Sequence, residues 1–318
     1  MRSPDILCVT LNPCLDKTLI TPAWKPGDNV RGTALREVVG GKGNNVARAL
    51  NGLGQLARPA TFLGGPTGTR CEYLLHHDDR MSPIIIETDA ETRTILTVRT
   101  GNSAEQSAFF DPDPAISEAE AALLIQAIRR EMQFGLVSAL TLSGSSPSPG
   151  THRVYKEMIN QAREFGVMVL LDTYGMALKS LGSAVPDVIQ LNRKEVAGTI
   201  GVGLDDLSEI QAFDWLGQWI GLGASLAVLT QGPDAVLAVS RQGKWRALPP
   251  QIQPVNPIGS GDCFLAGLTM SKLLHESDEA NLRFAVACAV ANARVWDAGA
   301  ITIDQVATWA PLISVERV

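Results

Sequence analysis

Cysteine and histidine are scarce in this chain of 318 residues, and acidic residues outnumber basic ones. The five cysteines are odd in number, widely scattered and without a C-x-x-C pair. This pattern argues against a disulfide scaffold or a structural zinc site and predicts buried free thiols. The net charge of −6 lacks the basic excess of a protein that coats nucleic acid, so we expect no nucleic-acid partner.

Long hydrophobic runs are also missing. No segment approaches the roughly 18 apolar residues of a membrane span, and the apolar stretch 284–291 is soon interrupted by Arg294. Residues 1–10 carry no signal-peptide pattern. With 45% hydrophobic residues the chain can still bury a sizeable core, so we expect a cytoplasmic globular protein without a membrane partner.

Several common catalytic motifs are absent. Neither Gly-Lys pair continues as a phosphate-binding P-loop, and no G-x-G-x-x-G follows the first predicted strand. There is no H-E-x-x-H, the histidines have no metal-ligand spacing, and no G-x-S-x-G nucleophile elbow occurs. These absences argue against P-loop and dinucleotide-binding enzymes and reduce the number of reaction types that the protein could catalyse.

The chain instead alternates strand-like and helix-like segments. Short apolar runs predict strands, and apolar residues at i, i+3, i+4 and i+7 predict helices. The predicted strands are 6–11, 60–63, 136–142, 167–171, 188–191 and 225–229. The predicted helices are 45–53, 117–134, 151–165, 262–274 and 281–296, the second with a Ser117–Glu120 capping box. The alternation predicts an α/β fold with a doubly wound, mostly parallel sheet covered by helices on both faces.

Two stretches break this alternation. Residues 17–39 and 84–110 are rich in Thr, Val and Ile but lack helical periodicity, and 92–100 alternates as a strand. We interpret them as a small extra sheet beside the main one. Such a sheet could close over a ligand as a lid, or it could be an ordinary antiparallel edge.

Two glycine-rich clusters stand directly before helical patterns. In the later one, Gly259 and Gly261 flank Ser260 and allow the backbone to approach a ligand closely. The helix N-terminus that follows suits phosphate oxygens. The same field holds Asp262 ionised, so that it can accept a proton from an attacking hydroxyl. The alternative is that Asp262 only caps the helix.

The earlier cluster reads G-G-K-G-N-N over residues 40–45. Its backbone amides, the Lys42 ammonium and the Asn45 side-chain amide could hold hydroxyls or a phosphate. The alternative is a tight strand-to-helix turn with a solvated lysine.

Together the clusters resemble the two signatures of the PfkB, or ribokinase-like, family of sugar kinases. Residues 39–54 look like the N-terminal signature, and N-P-I-G-S-G-D-C-F-L-A-G at 256–267 looks like the C-terminal one. Further landmarks match at T-L-N-P-C-L-D (10–16), Thr92-Arg93, S-G-S (143–145) and N-R-K-E (192–195). The first of these is similar to the branch that holds 1-phosphofructokinase, tagatose-6-phosphate kinase and the minor 6-phosphofructokinase. The N-P-I-G-S-G-D form is most similar to tagatose-6-phosphate kinases.

The resemblance implies a single ribokinase-like domain over residues 1–318 with a small β-sheet lid at 17–39 and 84–110. It implies an enzyme that uses ATP and Mg²⁺ to phosphorylate a hydroxyl of a ketohexose phosphate. Asp262 would be the catalytic base, with an anion hole formed by Gly259, Ser260, Gly261 and the Asp262 amide. The implied substrate-binding residues are Asp16, Arg31, Gly41, Lys42, Asn45, Arg93 and Ser143. The implied nucleotide-binding residues are Asn192, Thr230, Gly232 and Asn292. Glu195 would bind the metal through its water. The lids of this branch often pair, which implies a homodimer through the lid sheet.

Three departures from the family pattern concern the ligands. Thr94-Ile95 stand where the branch often carries an Asn, and the loop 143–150 lacks a Leu and is one residue longer. Both departures lie where the resemblance places the substrate. The identity of the sugar, and whether it carries a phosphate, therefore stay open. Ala235 replaces a Gly on the nucleotide side. The alternatives are a ribokinase-type kinase of an unphosphorylated sugar or nucleoside, and a non-catalytic sugar-phosphate sensor.

Overall fold

Strands and helices alternate along the described chain, which covers residues 5–100 and 106–318 of a computed structural model. In chain order the strands are β1 (Asp5–Thr10), β2 (Cys14–Thr21), β3 (Ala34–Gly40), β4 (Ala57–Leu63), β5 (Ile84–Glu87), β6 (Arg93–Thr100), β7 (Gln106–Phe110), β8 (Val137–Ser143), β9 (Met168–Asp172), β10 (Val188–Asn192), β11 (Leu226–Thr230), β12 (Val236–Ser240), β13 (Gly243–Leu248) and β14 (Ser314–Arg317). The helices are α1 (Lys42–Gly52), α2 (Gly65–His77), α3 (Glu118–Gln133), α4 (Val154–Phe165), α5 (Gly175–Lys179), α6 (Arg193–Ile200), α7 (Glu209–Leu222), α8 (Ser260–Leu273), α9 (Asp278–Ala293) and α10 (Ile303–Trp309). Short 3₁₀ helices at Pro149–Thr151 and Ala310–Leu312 precede α4 and follow α10.

The larger sheet has ten strands in the order β14-β13-β12-β11-β10-β9-β8-β1-β4-β5. Every neighbouring pair from β5 to β11 is parallel. β12, β13 and β14 continue the sheet as an antiparallel edge. The predicted doubly wound, mostly parallel sheet is therefore confirmed.

Helices cover both faces of this sheet because its strands carry apolar side chains on both sides. In β1, Ile6 and Cys8 belong to one buried core, and Leu7 and Val9 belong to the other. The first core is closed by α1, α2, α8, α9 and α10, and the second by α3 to α7. The strand-helix alternation of the sequence thus becomes two cores on either side of one sheet.

The predicted helices are present with shifted ends. The Ser117–Glu120 capping box is confirmed: the Glu120 N–H donates to the Ser117 hydroxyl at 3.2 Å, and the Ser117 N–H donates to the Glu120 carboxylate at 2.7 Å. The last predicted helix, 281–296, differs most, since α9 spans Asp278–Ala293. It begins earlier because the Ser277 hydroxyl caps its first turn.

A separate four-stranded sheet has the order β3-β2-β6-β7, which confirms the predicted second sheet. β2 pairs antiparallel with β3 and parallel with β6, and β7 is antiparallel to β6. Residues 22–33, between β2 and β3, form a mostly exposed loop. The action of this sheet as a lid stays a prediction.

One predicted boundary of the small sheet is wrong. Ile84–Glu87, assigned to the lid segment 84–110, pairs in parallel with β4 in the larger sheet. Of its three consecutive isoleucines, the middle one packs against one core and the outer two against the other. An apolar strand of this kind suits a sheet covered on both faces. Residues 101–105 of the same segment lie outside the described residues.

The cysteines of the chain are all buried free thiols, as predicted. Within residues 5–100 and 106–318, no helix combines the length and apolar character that crossing a membrane requires.

Candidate active site

A polar cavity of about 360 Å³ opens between the two sheets, at the edge where the parallel strands end. Asn12, Gly144 and Tyr174 line it, each shortly after the end of β1, β8 or β9. Parallel strands end at one edge of a sheet, so residues that follow them converge there. Of the predicted site residues, those that line the polar cavity are Asp16, Gly41, Lys42, Asn45, Arg93, Gly259, Gly261 and Asp262.

The glycine-rich turn before α8 forms one wall of the polar cavity. Gly259 has a φ of +85°, in the left-handed region that favours glycine. A Cβ atom on it would also lie 2.6 Å from the Cβ of Ala298, which is too close. Both the backbone conformation and the packing therefore require glycine here.

The N-terminus of α8 leaves backbone donors at this wall. The first helical hydrogen bond runs from the Cys263 N–H to the Gly259 carbonyl at 2.9 Å. The Ser260 N–H is used within the turn itself, where it donates to a carbonyl at 3.2 Å. The N–H groups of Gly261 and Asp262 have no partner inside the helix, and they can bind an anion.

Asp262 lines the polar cavity but is almost fully buried. Its Oδ2 atom accepts a hydrogen bond of 2.8 Å from Asn45 Nδ2. Burial raises the pKa of Asp262 to about 7, with the charge of Lys42 opposing the rise and the carboxylates of Asp172 and Glu195 adding to it. A carboxyl group that titrates near neutral pH suits general-base catalysis.

Asn45 is itself held in place by a buried ion pair. Arg48 Nη1 donates to Asn45 Oδ1 at 2.9 Å, which fixes the amide so that its Nδ2 faces Asp262. Arg48 makes two more hydrogen bonds, of 2.7 and 2.8 Å, to the carboxylate of Asp79. Neither Arg48 nor Asp79 is predicted from the sequence. Arg48 stands inside the N-terminal signature, but no spacing in the sequence connects it with Asp79.

Lys42 extends toward two carboxylates. Its Nζ donates to Asp172 Oδ1 at 2.9 Å and to Glu195 Oε1 at 3.2 Å. Burial alone would lower the pKa of Lys42, but the two carboxylates outweigh burial and raise it above its usual value. Lys42 lines the polar cavity and lies beside Glu195, and its predicted contact with the sugar stays a prediction. Asp172 was not predicted, although its place directly after the predicted strand 167–171 was a signal.

Arg93, the first residue of β6, reaches the polar cavity with its charge already paired. Its Nη1 donates to Asp113 Oδ1 at 2.9 Å, and its Nη2 donates to the Asn12 carbonyl at 3.2 Å. The Asn12 side-chain Nδ2 donates to the same Asp113 oxygen at 2.9 Å and to Ser145 Oγ at 3.1 Å. Neither Asn12 nor Asp113 is among the predicted site residues, because only folding brings Asp113 to the start of β6.

A second, mostly apolar cavity of about 410 Å³ lies behind the turn before α8. Thr230 and Gly232 line it, where the resemblance implies nucleotide-binding residues, and Phe264 contributes an aromatic wall. Ser260 faces this cavity, and Gly261 lines both cavities. The turn is therefore the wall that the two cavities share.

A third cavity, of about 490 Å³, shares Lys42 with the polar cavity and is lined by Asn192, Lys194 and Glu195. The side chains of Asn192 and Glu195 cap α6 reciprocally, each accepting a 2.9 Å bond from the other's N–H. Burial raises the pKa of Glu195, while the charge of Lys42 opposes the rise. Over the described ranges, no cluster of three or more His, Cys, Asp and Glu side chains is placed to hold a metal directly.

Two predicted substrate-binding residues do not line the polar cavity. Arg31 lies exposed in the loop between β2 and β3. Ser143 is buried at the end of β8, and its neighbours Gly144 and Ser145 line the cavity instead.

Asn292 lies beneath the turn before α8 instead of lining the apolar cavity. Its Nδ2 donates to the Ile258 carbonyl at 2.8 Å and to Ser260 Oγ at 3.2 Å. Its Oδ1 accepts a hydrogen bond of 2.9 Å from the Gly299 N–H. Asn292 is buried, and its hydrogen bonds connect the turn to the segment after α9. The predicted nucleotide-binding residue Asn292 therefore does not line the apolar cavity.

The fold and site define a ribokinase-like class of protein, with a doubly wound sheet, a small second sheet and a glycine-rich helix N-terminus between two cavities. A family model described as pfkB family carbohydrate kinase matches residues 9–303. The chain therefore belongs to the pfkB family of carbohydrate kinases and is a phosphotransferase. The resemblance of its two signatures is confirmed.

Solved structures with the same fold include kinases of sugars and sugar phosphates. Phosphofructokinase-2 from Escherichia coli is 26% identical, with a TM-score of 0.87 over 97% of this chain and 99% of that one. A possible 1-phosphofructokinase from Thermotoga maritima is 21% identical, with a TM-score of 0.87 over 99% of both chains. Ribokinase from Thermotoga maritima is 17% identical, with a TM-score of 0.73 over 97% of this chain and 99% of that one. The last two likenesses concern the fold alone.

Proposed function

We propose that the protein transfers the γ-phosphate of ATP to a hydroxyl of a ketohexose phosphate: fructose 1-phosphate, fructose 6-phosphate or tagatose 6-phosphate. The observation that carries the proposal is the shared wall between the cavities. Gly261 lines both, and Asp262 lines the polar one directly beside it. An acceptor in the polar cavity and a donor reaching from the apolar one would meet at this turn. The name of the 26% identical neighbour, phosphofructokinase-2, supports the substrate class.

The acceptor would lie between the two walls of the polar cavity. Asp16, on β2, offers carboxylate oxygens to sugar hydroxyls. On the same side, Arg93, Asn12 and Ser145 gather side-chain donors that suit the existing phosphate. An arginine is apt because its planar fork pairs two phosphate oxygens at once.

Asp262 would take the proton of the attacking hydroxyl. The hydroxyl oxygen forms a bond to the γ-phosphorus while the bond from that phosphorus to the β-phosphate bridging oxygen breaks, and ADP leaves. The proton passes to Asp262, whose pKa of about 7 lets it both accept and release one. The N–H groups of Gly261 and Asp262 would hold the oxygens of the transferring group, and the Lys42 ammonium lies nearby to offset negative charge.

The residues present fit a nucleotide with Mg²⁺. The apolar cavity suits a base and ribose, and the third cavity brings Asn192, Lys194 and Glu195 beside Lys42. Glu195 already caps α6 and accepts a hydrogen bond from Lys42. It would therefore contact Mg²⁺ through a water molecule, because Mg²⁺ commonly keeps several of its waters. When bound, Mg²⁺ would offset the charge of the donor phosphates.

A coupled ADP-release assay tests the proposal. MgATP is supplied with each of the three ketohexose phosphates and with fructose, tagatose, ribose and adenosine. We expect turnover on one phosphorylated ketohexose with a kcat/KM at least about a hundredfold above that for the free sugars, because charge pairing with Arg93 contributes to binding. Turnover confined to free sugars or adenosine would show that the acceptor is unphosphorylated. If none of these acceptors causes ATP consumption but a sugar phosphate still binds, the protein would be a non-catalytic sugar-phosphate sensor.

The second candidate is a ribokinase-type kinase of an unphosphorylated sugar or nucleoside. The observation that favours it is the pairing of Arg93 with Asp113, which offsets the charge that would attract a substrate phosphate. The same panel of acceptors separates the two candidates.

A further inference from the structure

Asp113 places a carboxylate among the donors of the polar cavity. Its Oδ1 accepts hydrogen bonds from Arg93 Nη1 and Asn12 Nδ2, both at 2.9 Å. Asn12 also donates to Ser145, which lines the same cavity. One oxygen of Asp113 thus occupies the convergence point of a guanidinium and an amide, which is where an oxygen of a substrate phosphate would bind.

Among the residues that the structure describes, no cation on the lining of the polar cavity is uncompensated. Its charged lining residues are Asp16, Lys42, Arg93 and Asp262. The charge of Lys42 is paired with two carboxylates, and that of Arg93 is paired with Asp113. A phosphate that carries one to two negative charges would therefore pair with Arg93 only by taking the place of the Asp113 carboxylate.

Asp113 can leave Arg93 without a change of fold. Its side chain is 47% exposed, so a rotated carboxylate would reach water at little desolvation cost. Pro112 and Pro114 flank it and restrict the backbone on both sides. The movement that frees Arg93 is therefore a rotation of the side chain and not a displacement of the loop.

We propose that Asp113 is a specificity-determining residue that competes, as an internal anion, with the substrate phosphate for Arg93 and Asn12. This inference rests on the proposed function, in which the acceptor carries a phosphate. The competition weakens binding of every phosphorylated ligand at this end of the cavity. An acceptor without a phosphate does not displace Asp113 and is unaffected.

The test is the Asp113→Asn variant, which keeps a hydrogen-bond acceptor at the same place but removes the charge. Calorimetry measures the Kd for the phosphorylated ketohexose that the enzyme uses, for its free sugar and for inorganic phosphate. We expect the Kd of the phosphorylated ligand and of inorganic phosphate to fall about three- to tenfold, as loss of a partly exposed charge pair allows. The Kd of the free sugar stays the same.

A matched control removes the neighbouring charge without touching Arg93. Asp111 accepts a hydrogen bond of 2.8 Å from the Thr94 N–H and is also an exposed carboxylate. Asp111→Asn should leave all three Kd values unchanged. With Arg93→Ala in the same chain, Asp113→Asn should lose its effect, which locates the competition at Arg93 and not at the donor-phosphate site.

An unchanged or higher Kd for inorganic phosphate and sugar phosphate in Asp113→Asn overturns the inference, because Asp113 would then position Arg93 instead of competing for it. Asp113→Ala gives a second measurement should the first variant fold poorly. Failure of the proposed function looks different. The unsubstituted enzyme would then phosphorylate only free sugars, while the inorganic-phosphate measurement would still decide whether Asp113 competes for Arg93.

Discussion

At the scale of single residues, Asp262 combines two demands that oppose each other. To act as the proposed base it must be able to lose its proton, yet it is buried beside two further carboxylates, which disfavours the charged form. The hydrogen bond from Asn45 and the charge of Lys42 make that form accessible near neutral pH.

The first prediction concerns turnover. Asp262→Asn keeps the shape of the side chain but cannot take up the proton of the attacking hydroxyl. We expect kcat to fall by about 10²–10⁴-fold, the usual contribution of a general base, while the far-ultraviolet circular dichroism spectrum stays the same. The ADP-release assay measures this. Near-normal turnover would mean that another group is the base.

The second prediction concerns stability and pH in the same variant. The folded pKa of Asp262, about 7, lies above its ordinary value of 3.8, so the folded protein binds this proton more tightly than the unfolded chain does. That contribution is complete below pH 3.8 and is lost as the pH rises through about 7. Asp262→Asn should therefore increase the free energy of unfolding at pH 8 by up to about 4 kcal/mol, and by much less at pH 5. Urea denaturation at the two pH values tests this, and an equal effect at both would refute the shifted pKa.

At the scale of elements, α1 connects the polar cavity to a second helical segment. It carries Lys42, Asn45 and Arg48 on successive turns, and Arg48 ties it to Asp79, just beyond the end of α2. The orientation of the Asp262 side chain in α8 thus depends on an ion pair between two other helical segments. A buried arginine of this kind destabilises the fold when its partner is removed.

The third prediction follows from that ion pair. In Asp79→Asn, Arg48 loses its carboxylate and holds the Asn45 amide less firmly, so the hydrogen bond that lowers the pKa of Asp262 weakens. We expect the acid limb of the kcat/KM profile to move up from about pH 7 by roughly half a unit. We also expect the free energy of unfolding to fall by about 1–3 kcal/mol. Glu164→Gln, which breaks an exposed ion pair with Arg129, is the control and should change neither. A loss of stability with an unmoved pH profile would leave Asp79 a purely structural role.

At the scale of the whole molecule, one face of the small sheet lines the polar cavity and the other face turns away from it. Ile95, Thr97 and Ala108 line the polar cavity, so the residues that alternate with them turn away from it. On that outer face Leu35 is 57% exposed and Phe109 is 54% exposed. Exposed apolar side chains on a sheet face favour burial against a partner, which supports the predicted homodimer through the lid sheet.

The fourth prediction tests this dimer. Leu35→Asp and Phe109→Asp should convert a dimer to a monomer, because a carboxylate cannot be buried in an apolar interface without a partner. Sedimentation velocity measures the mass. Phe134→Asp, on an exposed aromatic residue at the end of α3, is the control and should leave the mass unchanged. A monomer in the unsubstituted protein would refute the lid-sheet dimer.

Much of this protein follows from local sequence. Apolar runs and helical spacing sufficed to predict the doubly wound sheet. The later glycine cluster sufficed to predict the turn before α8, while the catalytic role of Asp262 stays a prediction. These features depend on residues that are close together in the sequence, so backbone preferences and hydrophobic periodicity are enough to predict them. The boundary error at Ile84–Glu87 shows the limit, since a short apolar strand fits either sheet until its packing is known.

The tertiary structure alone decided which distant residues meet. Asp172, Asp79 and Asp113 each pair with a cation far away in the chain: Lys42, Arg48 and Arg93. No spacing rule predicts such pairs, because they depend on how strands and helices pack at the edge of the sheet. The sequence by itself therefore determined the fold and the class of chemistry. Packing decided how each charge is balanced, and with it the pKa of Asp262 and the pairing of Arg93.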